Sequence, residues 1–200
     1  MRPASLLVFV KPPRMGLSKT RLAKGAGQTA ARRIAAFTLA RTLRAARASG
    51  CEVAVYVAPD AAARRQSERR TFQGLPLRPQ GPGGLTERLG RGLHAAPPGP
   101  VLFIGADAPD VTAGRLRRAA ALLRRRDAVF GPARDGGFWL FGMHKRPGSR
   151  APFDGVRWSG PHAMEDVWSR LPEGSRIGLL EPLIDIDEIA DWKEWVRGTR

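Results

Sequence analysis

The sequence predicts a single α/β domain, residues 1–200, with a mostly parallel sheet. Strand-like apolar runs bounded by Gly and Pro recur along the chain, with Ala-rich helical patterns between several of them. That alternation is typical of a parallel sheet with helices on both faces. A length of 200 residues suits one domain that buries most of its apolar surface. The predicted strands are 6–10, 53–57, 101–104, 128–130 and 138–141.

The first strand is followed by a loop and then by a long helix. Residues 29–48 carry apolar side chains at helical spacing, interspersed with arginines, and the pattern ends at Gly50. This predicts one helix with a basic outer side. The remaining predictions are loops in the Gly- and Pro-rich stretches 73–84 and 96–100, and helices near 163–171 and 188–196.

The chain is strongly basic, with 34 Lys and Arg against 18 Asp and Glu and a net charge of +16. Such a charge favours nucleic acid, a membrane surface or an anionic small molecule as partner. The arginine runs lie mostly in helix-like segments, and no aromatic residues are interleaved with them as platforms for stacked bases. We therefore expect a solvated basic face and no specific nucleic-acid partner, while a nucleic-acid-binding alternative stays open.

The N-terminal apolar run is short, and cysteine is nearly absent. Residues 6–10 fall far below the roughly 20 apolar residues that a membrane helix needs, so we expect a buried strand and no membrane span. Cys51 is the one cysteine, which rules out an internal disulfide, and no Cys/His spacing resembles a zinc site. A cytoplasmic location is expected, and the pattern indicates no particular oligomeric state.

The segment 11–21 is the first candidate site. It leaves the first strand at its carboxyl end, where open α/β sheets bind ligands. Its four cations would repel one another without an anion among them, and Gly16 allows backbone amides to approach a phosphate. The segment matches neither the Walker A pattern nor a GxGxxG fingerprint. We expect a phosphate-binding loop, with a solvated basic turn as the alternative.

Carboxylates at the ends of predicted strands are the second candidate site. Asp107 follows an apolar strand, and Mg²⁺ in phosphate enzymes needs only one or two protein carboxylates plus phosphate oxygens. Asp185 and Asp187 alternate on an extended run and so point the same way, which favours a cation between them. Asp187 could instead cap the helix that follows, and Asp110 is expected to be a cap or turn residue.

Asp135 lies in the Asp-Gly-Gly turn of a predicted hairpin. An ordinary hairpin turn and the rim of a pocket explain this sequence equally well. Trp139 follows the turn and could flank an acceptor pocket. The other tryptophans are expected to pack the last helices rather than to bind a ligand, with a partner surface as the alternative; they are Trp158, Trp168, Trp192 and Trp195.

Five motifs occur in order between about residues 6 and 192. They are Lys-x-Pro-x-x-Gly-x-x-Lys-Thr-Arg-Leu from Lys11, Gly-Ala-Asp-x-Pro from Gly105, Gly-Pro-x-x-Asp-Gly-Gly from Gly131, Trp158-Ser159, and Asp-Ile-Asp from Asp185. Together they resemble the bacterial DUF2064 family, glycosyltransferase-like proteins of the nucleotide-diphospho-sugar transferase (GT-A) superfamily. Any one of these motifs alone would be a weak signal, whereas five in order are specific.

The resemblance implies a three-layer α/β/α GT-A fold with a mostly parallel mixed sheet, a nucleotide-sugar or nucleoside triphosphate donor, a small-molecule acceptor, and Mg²⁺ or Mn²⁺. The superfamily contains both glycosyltransferases and nucleotidyltransferases. The opening motif also resembles the guanylyltransferases of deazaflavin-cofactor synthesis, in which a basic loop contacts the triphosphate. Three hypotheses therefore stay open: glycosyl transfer, nucleotidyl transfer to a phosphorylated or carboxylated acceptor, and non-catalytic nucleotide or nucleic-acid binding.

The resemblance also implies roles for individual residues. Phosphate contacts fall on Lys11, Gly16, Lys19 and Arg21, and nucleotide contacts on Gln80, Gly83, Gly84 and Arg88. The metal ligands would be Asp107 with Asp187 or Asp185. Lys19 would neutralise the charge that develops on the leaving phosphate, and we hypothesise that Asp135 orients or deprotonates an acceptor hydroxyl.

Overall fold

A computed structural model describes residues 2–14, 19–72 and 74–199, which form one seven-stranded sheet with helices on both faces. The strands are β1 (Ser5–Val10), β2 (Glu52–Val57), β3 (Leu77–Pro79), β4 (Gly99–Ile104), β5 (Ala128–Pro132), β6 (Phe138–Lys145) and β7 (Ile177–Leu179). The helices are α1 (Thr20–Ala26), α2 (Gln28–Arg47), α3 (Asp60–Arg64), α4 (Gln66–Thr71), α5 (Leu85–Ala95), α6 (Ala113–Leu122), α7 (Ala163–Ser169) and α8 (Ile189–Gly198).

The sheet is mixed, in the order β3-β2-β1-β4-β6-β5-β7. Four of its strand pairs are parallel: β1 with β2, β1 with β4, β2 with β3, and β5 with β7. Strand β6 runs antiparallel to both of its neighbours, β4 and β5. The predicted mostly parallel α/β sheet is confirmed.

Along β1, successive side chains alternate between the two faces of the sheet, and apolar side chains lie on both faces. Leu6 and Val8 belong to one core cluster, which includes residues of α2 and α6, whereas Leu7 belongs to a second cluster with residues of α5 and α7. The second cluster is rich in phenylalanine, with Phe130 and Phe141 fully buried. Burial on both faces explains why β1 reads as a continuous apolar run.

The long helix predicted for 29–48 is confirmed as α2. Leu39 and Leu43 bury its inner side, and Gly50, at φ 77°, follows its end. The loop predicted for 73–84 is partly wrong, because β3 lies inside it and pairs with β2. This strand is only three residues long and ends in Pro79, a composition that an edge strand tolerates and that hides it from pattern analysis.

Strand order places a crevice beyond the carboxyl ends of β1 and β4. The chain continues from β1 to β2 on one side, while β4 lies on the other side, so the two strands flank a topological switch point. Because β6 is antiparallel and Ile104 pairs with Leu140, the turn that precedes β6 lies at this same edge. Among the described residues, no helix is both long enough and apolar enough to cross a membrane.

Candidate active site

Two adjoining cavities open at this edge of the sheet. The larger, of about 590 Å³, is called here the basic compartment, because Lys11, Lys19, Arg21 and Arg88 line it. The smaller, of about 290 Å³, is called the inner compartment, and aromatic side chains line it together with three aspartates. Residues that line both cavities mark the boundary between them; they are Phe9, Leu85, Asp107 and Ser159.

The segment 11–21 supplies three of the four cationic side chains that line the basic compartment, and Arg88 of α5 supplies the fourth. Lys11 and Arg21 are exposed and line the cavity from opposite ends of the loop. Arg14 does not line it, and instead forms an ion pair with Glu68, which is almost fully buried on α4. This ion pair holds Arg14 against α4. Gly16 lies outside the described residues.

Lys19 lies between two of the predicted metal ligands. Its Nζ is 2.7 Å from Asp107 Oδ1 and 2.8 Å from Asp187 Oδ1, and it also donates a hydrogen bond to the Ile186 carbonyl. Burial alone would lower the pKa of Lys19, but the charges of Asp107 and Asp187 outweigh it and raise that pKa. The side chain predicted to contact phosphate is therefore engaged by carboxylates in this structure.

The pKa values of Asp185 and Asp187 are shifted in opposite directions. Burial, and then the negative charge of Asp107, raise the pKa of Asp185 to about 8. Burial also acts to raise the pKa of Asp187, but Lys19 and Arg21 outweigh it and hold that pKa below its usual range. The alternative that Asp187 caps the last helix is wrong, because Glu188 is the N-cap residue of α8.

The residues expected near the base lie where β1, β2 and α5 meet. The buried Gln80 amide nitrogen donates to the carbonyls of Val10, at 3.2 Å, and Tyr56, at 2.9 Å. Arg88 donates to the Gly83 carbonyl at 2.9 Å and approaches Gln80 Oε1 at 3.4 Å. Gln80 therefore ties two strand ends together. Gly84 also lines the basic compartment, as the N-cap residue of α5.

Asp135 lies in a tight hairpin turn and also at the edge of a cavity, the two interpretations that its sequence left open. Its Oδ1 accepts a hydrogen bond from the Gly137 amide at 3.0 Å, as expected of an Asp in a tight turn. Its side chain also lines the inner compartment, together with Asp107 and Asp185. The hairpin thus presents a carboxylate to the cavity while that carboxylate stabilises the turn.

Trp158 and Ser159 line the site, although the sequence analysis gave neither of them a functional role. Trp158 lines the inner compartment and donates from Nε1 to Thr86 Oγ1 at 2.8 Å, so it contacts α5 in addition to any role in packing the last helices. Ser159 has φ 63°, a left-handed conformation that persists in a non-glycine residue only where its surroundings hold it. Trp192 of α8 packs against Phe37 of α2 and so helps to pack the last helix, as predicted. The Trp-Ser pair was a recognised motif, but its residue types suggested no chemistry.

A bidentate ion pair braces the segment that carries Trp158. Arg157 Nε and Nη2 donate to the two carboxylate oxygens of Asp166 at 2.9 and 2.8 Å, and the Arg157 backbone amide donates to the same group at 2.9 Å. These hydrogen bonds from Arg157 hold the pKa of Asp166 well below its usual range. The brace ties the segment to α7.

Replacing Asp166 with asparagine is expected to lower the melting temperature most at neutral pH. A lowered pKa in the folded state contributes stability that is complete above the unfolded value of about 3.9 and is lost as the pH falls towards the folded value. The gap between wild type and Asp166→Asn should therefore narrow below about pH 4, in melting curves recorded from pH 7 to pH 3. Glu165→Gln, at an exposed neighbour, is the control. A gap that does not change with pH would contradict this expectation.

The carboxylates fit a divalent cation that arrives with phosphate. Among the described residues, no three His, Cys, Asp or Glu side chains form a ready-made metal site. The Lys19 ammonium lies between the carboxylates of Asp107 and Asp187. Mg²⁺ commonly takes only one or two protein carboxylates, together with water and phosphate oxygens. The pair of Asp107 with either Asp187 or Asp185 matches that number of carboxylates.

A family match covers the middle of the chain. Residues 39–160 match DUF2064, a family described as uncharacterized proteins conserved in bacteria. The chain belongs to this family. The resemblance to the DUF2064 family that the sequence motifs indicate is thereby confirmed. A comparison of this DUF2064 protein with curated proteins finds no match.

Solved structures share the fold of this DUF2064 protein. A candidate nucleotide-diphospho-sugar transferase from Desulfovibrio desulfuricans G20 is 24% identical, with a TM-score of 0.87 over 100% of this chain and 89% of that chain. A Mycobacterium tuberculosis H37Rv protein in complex with manganese is 17% identical, with a TM-score of 0.58 over 98% of this chain and 100% of that chain. The 2-C-methyl-D-erythritol 4-phosphate cytidylyltransferase of Thermus thermophilus is 19% identical, with a TM-score of 0.56 over 97% of each chain. The expected fold of the nucleotide-diphospho-sugar transferases is thus confirmed.

Proposed function

We propose that this DUF2064 protein is a metal-dependent transferase that takes a nucleotide-sugar donor in the basic compartment and an acceptor in the inner compartment. The observation that carries the proposal is the meeting of the two cavities at Asp107, one cavity lined by cations and the other by aromatic and acidic side chains. A donor phosphate and an acceptor held on opposite sides of this carboxylate would be positioned for transfer.

The basic compartment supplies the contacts that a nucleoside diphosphate needs. Lys11 offers a point charge, and the guanidinium groups of Arg21 and Arg88 can bind phosphate oxygens in a bidentate manner. Gln80 and Gly84 line the same cavity next to Arg88. Together with Gly83 they stay our proposal for the base side, and Gly16 stays our proposal for a close backbone approach to phosphate.

Two carboxylates at the boundary would hold Mg²⁺ or Mn²⁺. Asp107, with Asp187 or Asp185, is the proposed ligand set, and a bound cation would supply charge neutralisation to the leaving phosphate. Lys19 and Arg21 are placed to add positive charge on the same side, so the residues of the chain itself would stabilise the departing diphosphate.

The inner compartment supports a sugar and a hydroxyl-bearing acceptor. Phe138, Trp139 and Trp158 provide apolar faces, whereas Asp135 and Asp185 provide hydrogen-bond acceptors for hydroxyl groups. We propose that Asp135 orients or deprotonates the acceptor hydroxyl, because it lines this cavity, whose described lining includes no lysine or arginine.

Nucleotidyl transfer from a nucleoside triphosphate is the second candidate function. The four cationic side chains that line the basic compartment favour it, because they match the charge of a triphosphate better than that of a diphosphate once Lys19 and Arg21 exchange their aspartate partners for phosphate oxygens. The leaving group separates the two reactions: glycosyl transfer releases a nucleoside diphosphate, whereas nucleotidyl transfer releases pyrophosphate. Phosphorus NMR of the slow, acceptor-free breakdown of each donor would identify which one forms.

A thermal-shift screen tests the proposal. Nucleotide sugars and nucleoside triphosphates are added to the wild type with and without Mn²⁺ or Mg²⁺, and the melting temperature is recorded. A donor at a hundredfold excess over its dissociation constant stabilises the folded state by roughly 2.7 kcal/mol, which is readily detected. We expect metal-dependent stabilisation by a nucleotide sugar in the wild type and little or none in Asp107→Asn.

Asp110→Asn is the matched control. Asp110 lies three residues from Asp107, lines neither compartment and approaches only Arg41, at 4.0 Å, among its ion-pair partners in the described chain. Its substitution should leave the donor response unchanged. Stronger stabilisation by free nucleoside triphosphates than by nucleotide sugars would favour nucleotidyl transfer over glycosyl transfer. The absence of any nucleotide response would contradict both enzymatic functions.

A further inference from the structure

The Lys19 ammonium lies where a metal ion held by Asp107 and Asp187 would lie. We propose that Lys19 makes the site selective for a metal–phosphate complex: it keeps free divalent ions out, and it releases the carboxylates only when phosphate takes its charge. This inference rests on the proposed function, because it assumes that the same carboxylates hold the metal of a nucleotide donor.

The geometry of Lys19 is that of a cation in a binding site rather than of a surface ion pair. Three oxygens surround its Nζ, from Asp107 at 2.7 Å, from Asp187 at 2.8 Å and from the Ile186 carbonyl. The lysine side chain is only 10% exposed, whereas the carboxylates of Asp107 and Asp187 are 47% and 32% exposed, so the ammonium is enclosed while its partners still face the cavity. An oxygen cage of two carboxylates and a carbonyl is also the donor set that hard divalent cations take.

Charge balance explains why a free metal ion would bind poorly. The carboxylate of Asp187 is shared between Lys19 and Arg21, so two cationic side chains already neutralise the pair of aspartates. A divalent ion that enters while Lys19 stays in place would meet a like charge at contact distance. If Lys19 instead leaves without a new partner, a largely buried ammonium is stranded, which is costly.

A phosphate group removes that obstacle. Lys19 also lines the basic compartment, where Lys11 and Arg88 provide further positive charge for an anion. The flexible lysine side chain can exchange carboxylate for phosphate without any change in its own charge. The vacated carboxylates then accept the cation that accompanies the phosphate. Each charge therefore keeps a partner throughout, and metal binding becomes conditional on the nucleotide.

Binding of Mn²⁺ alone, followed by electron paramagnetic resonance, tests this inference without any organic substrate. We expect the wild type to bind Mn²⁺ weakly. Lys19→Met should bind one ion per chain, with a dissociation constant lower by about tenfold or more. That factor is the scale on which one charge at this distance shifts the ionisation constant of a neighbouring group. Lys24→Met, which removes an exposed lysine from helix α1, whose N-cap residue is Lys19, is the control and should bind Mn²⁺ like the wild type. Adding Asp107→Asn to Lys19→Met should abolish the gained binding.

The outcomes separate this inference from the proposed function. Tight one-to-one Mn²⁺ binding by the wild type, lost in Asp107→Asn, would overturn the role of Lys19 and leave the metal site intact. A failure of both wild type and Lys19→Met to bind Mn²⁺ would overturn the role of Lys19, whereas the donor-dependent metal of the proposed function would still be tested separately by the thermal-shift screen.

A measurement on the wild type decides the matter if Lys19→Met does not fold. The melting temperature is recorded with Mn²⁺, with inorganic pyrophosphate, and with both together. We expect the two together to stabilise the protein by more than the sum of their separate effects. A simply additive response would overturn the inference.

Discussion

Gly136→Ala is expected to destabilise the protein by about 2–5 kcal/mol, because it combines backbone strain with overpacking. Gly136 has φ 85°, a left-handed conformation that alanine adopts at a cost. A methyl group there would also lie 2.2 Å from the Pro161 carbonyl oxygen, far inside van der Waals contact. Because Gly136 and Pro161 belong to the two segments that carry Asp135 and Ser159, the substitution should push apart the walls of the inner compartment. Urea unfolding measures the loss.

Gly148→Ala separates the two causes. Gly148 has a similar φ of 79°, but a methyl group at this position meets nothing within 4 Å. It should therefore cost only about 1–2 kcal/mol, the strain of the left-handed backbone alone. Equal losses for the two variants would show that the contact with Pro161 contributes nothing, and would contradict the coupling of the hairpin to the opposite wall.

Asp135→Asn is expected to reduce turnover by about 10²–10⁴-fold, the range for removal of a general acid–base group. Asparagine has nearly the same shape and retains an oxygen that can accept the Gly137 hydrogen bond, so the turn should persist. Donor-induced stabilisation should also persist, because the cations that would bind the donor line the other compartment. Turnover with the donor identified by the thermal-shift screen, at saturating donor, measures the effect.

Asp154→Asn is the control for this substitution, since Asp154 is likewise exposed in a turn but lines neither compartment. It should leave turnover at the wild-type level. If Asp135→Asn also keeps wild-type turnover, Asp135 has no role beyond its turn, and the acceptor-side assignment is wrong.

Much of the fold could be predicted from the sequence because its elements carry strong periodic signals. The apolar run of β1 and the 20-residue pattern of α2 are long, and burial enforces them. Strand β3 was missed because three residues ending in a proline carry no such signal. Its position is fixed by pairing with β2, a tertiary contact that no local pattern reveals.

The site shows the same division between local and tertiary information. Asp107 was predicted at the edge of the sheet because a strand end is a local feature, and the structure places it where both compartments meet. That Lys19 lies between Asp107 and Asp187 could not be foreseen, since the contact spans most of the chain. Ser159 was recognised in a motif, yet its left-handed backbone depends on the packing around it rather than on its residue type.

The central claim is that Asp107 joins a nucleotide donor and a divalent cation at the boundary of two compartments. Isothermal titration of the best donor from the thermal-shift screen, with and without Mg²⁺, tests it most directly in the wild type, Asp107→Asn and Asp110→Asn. We expect one donor-binding site that requires Mg²⁺ in the wild type and in Asp110→Asn and is lost in Asp107→Asn. Donor binding of equal strength in all three proteins, whether or not Mg²⁺ is present, would contradict it.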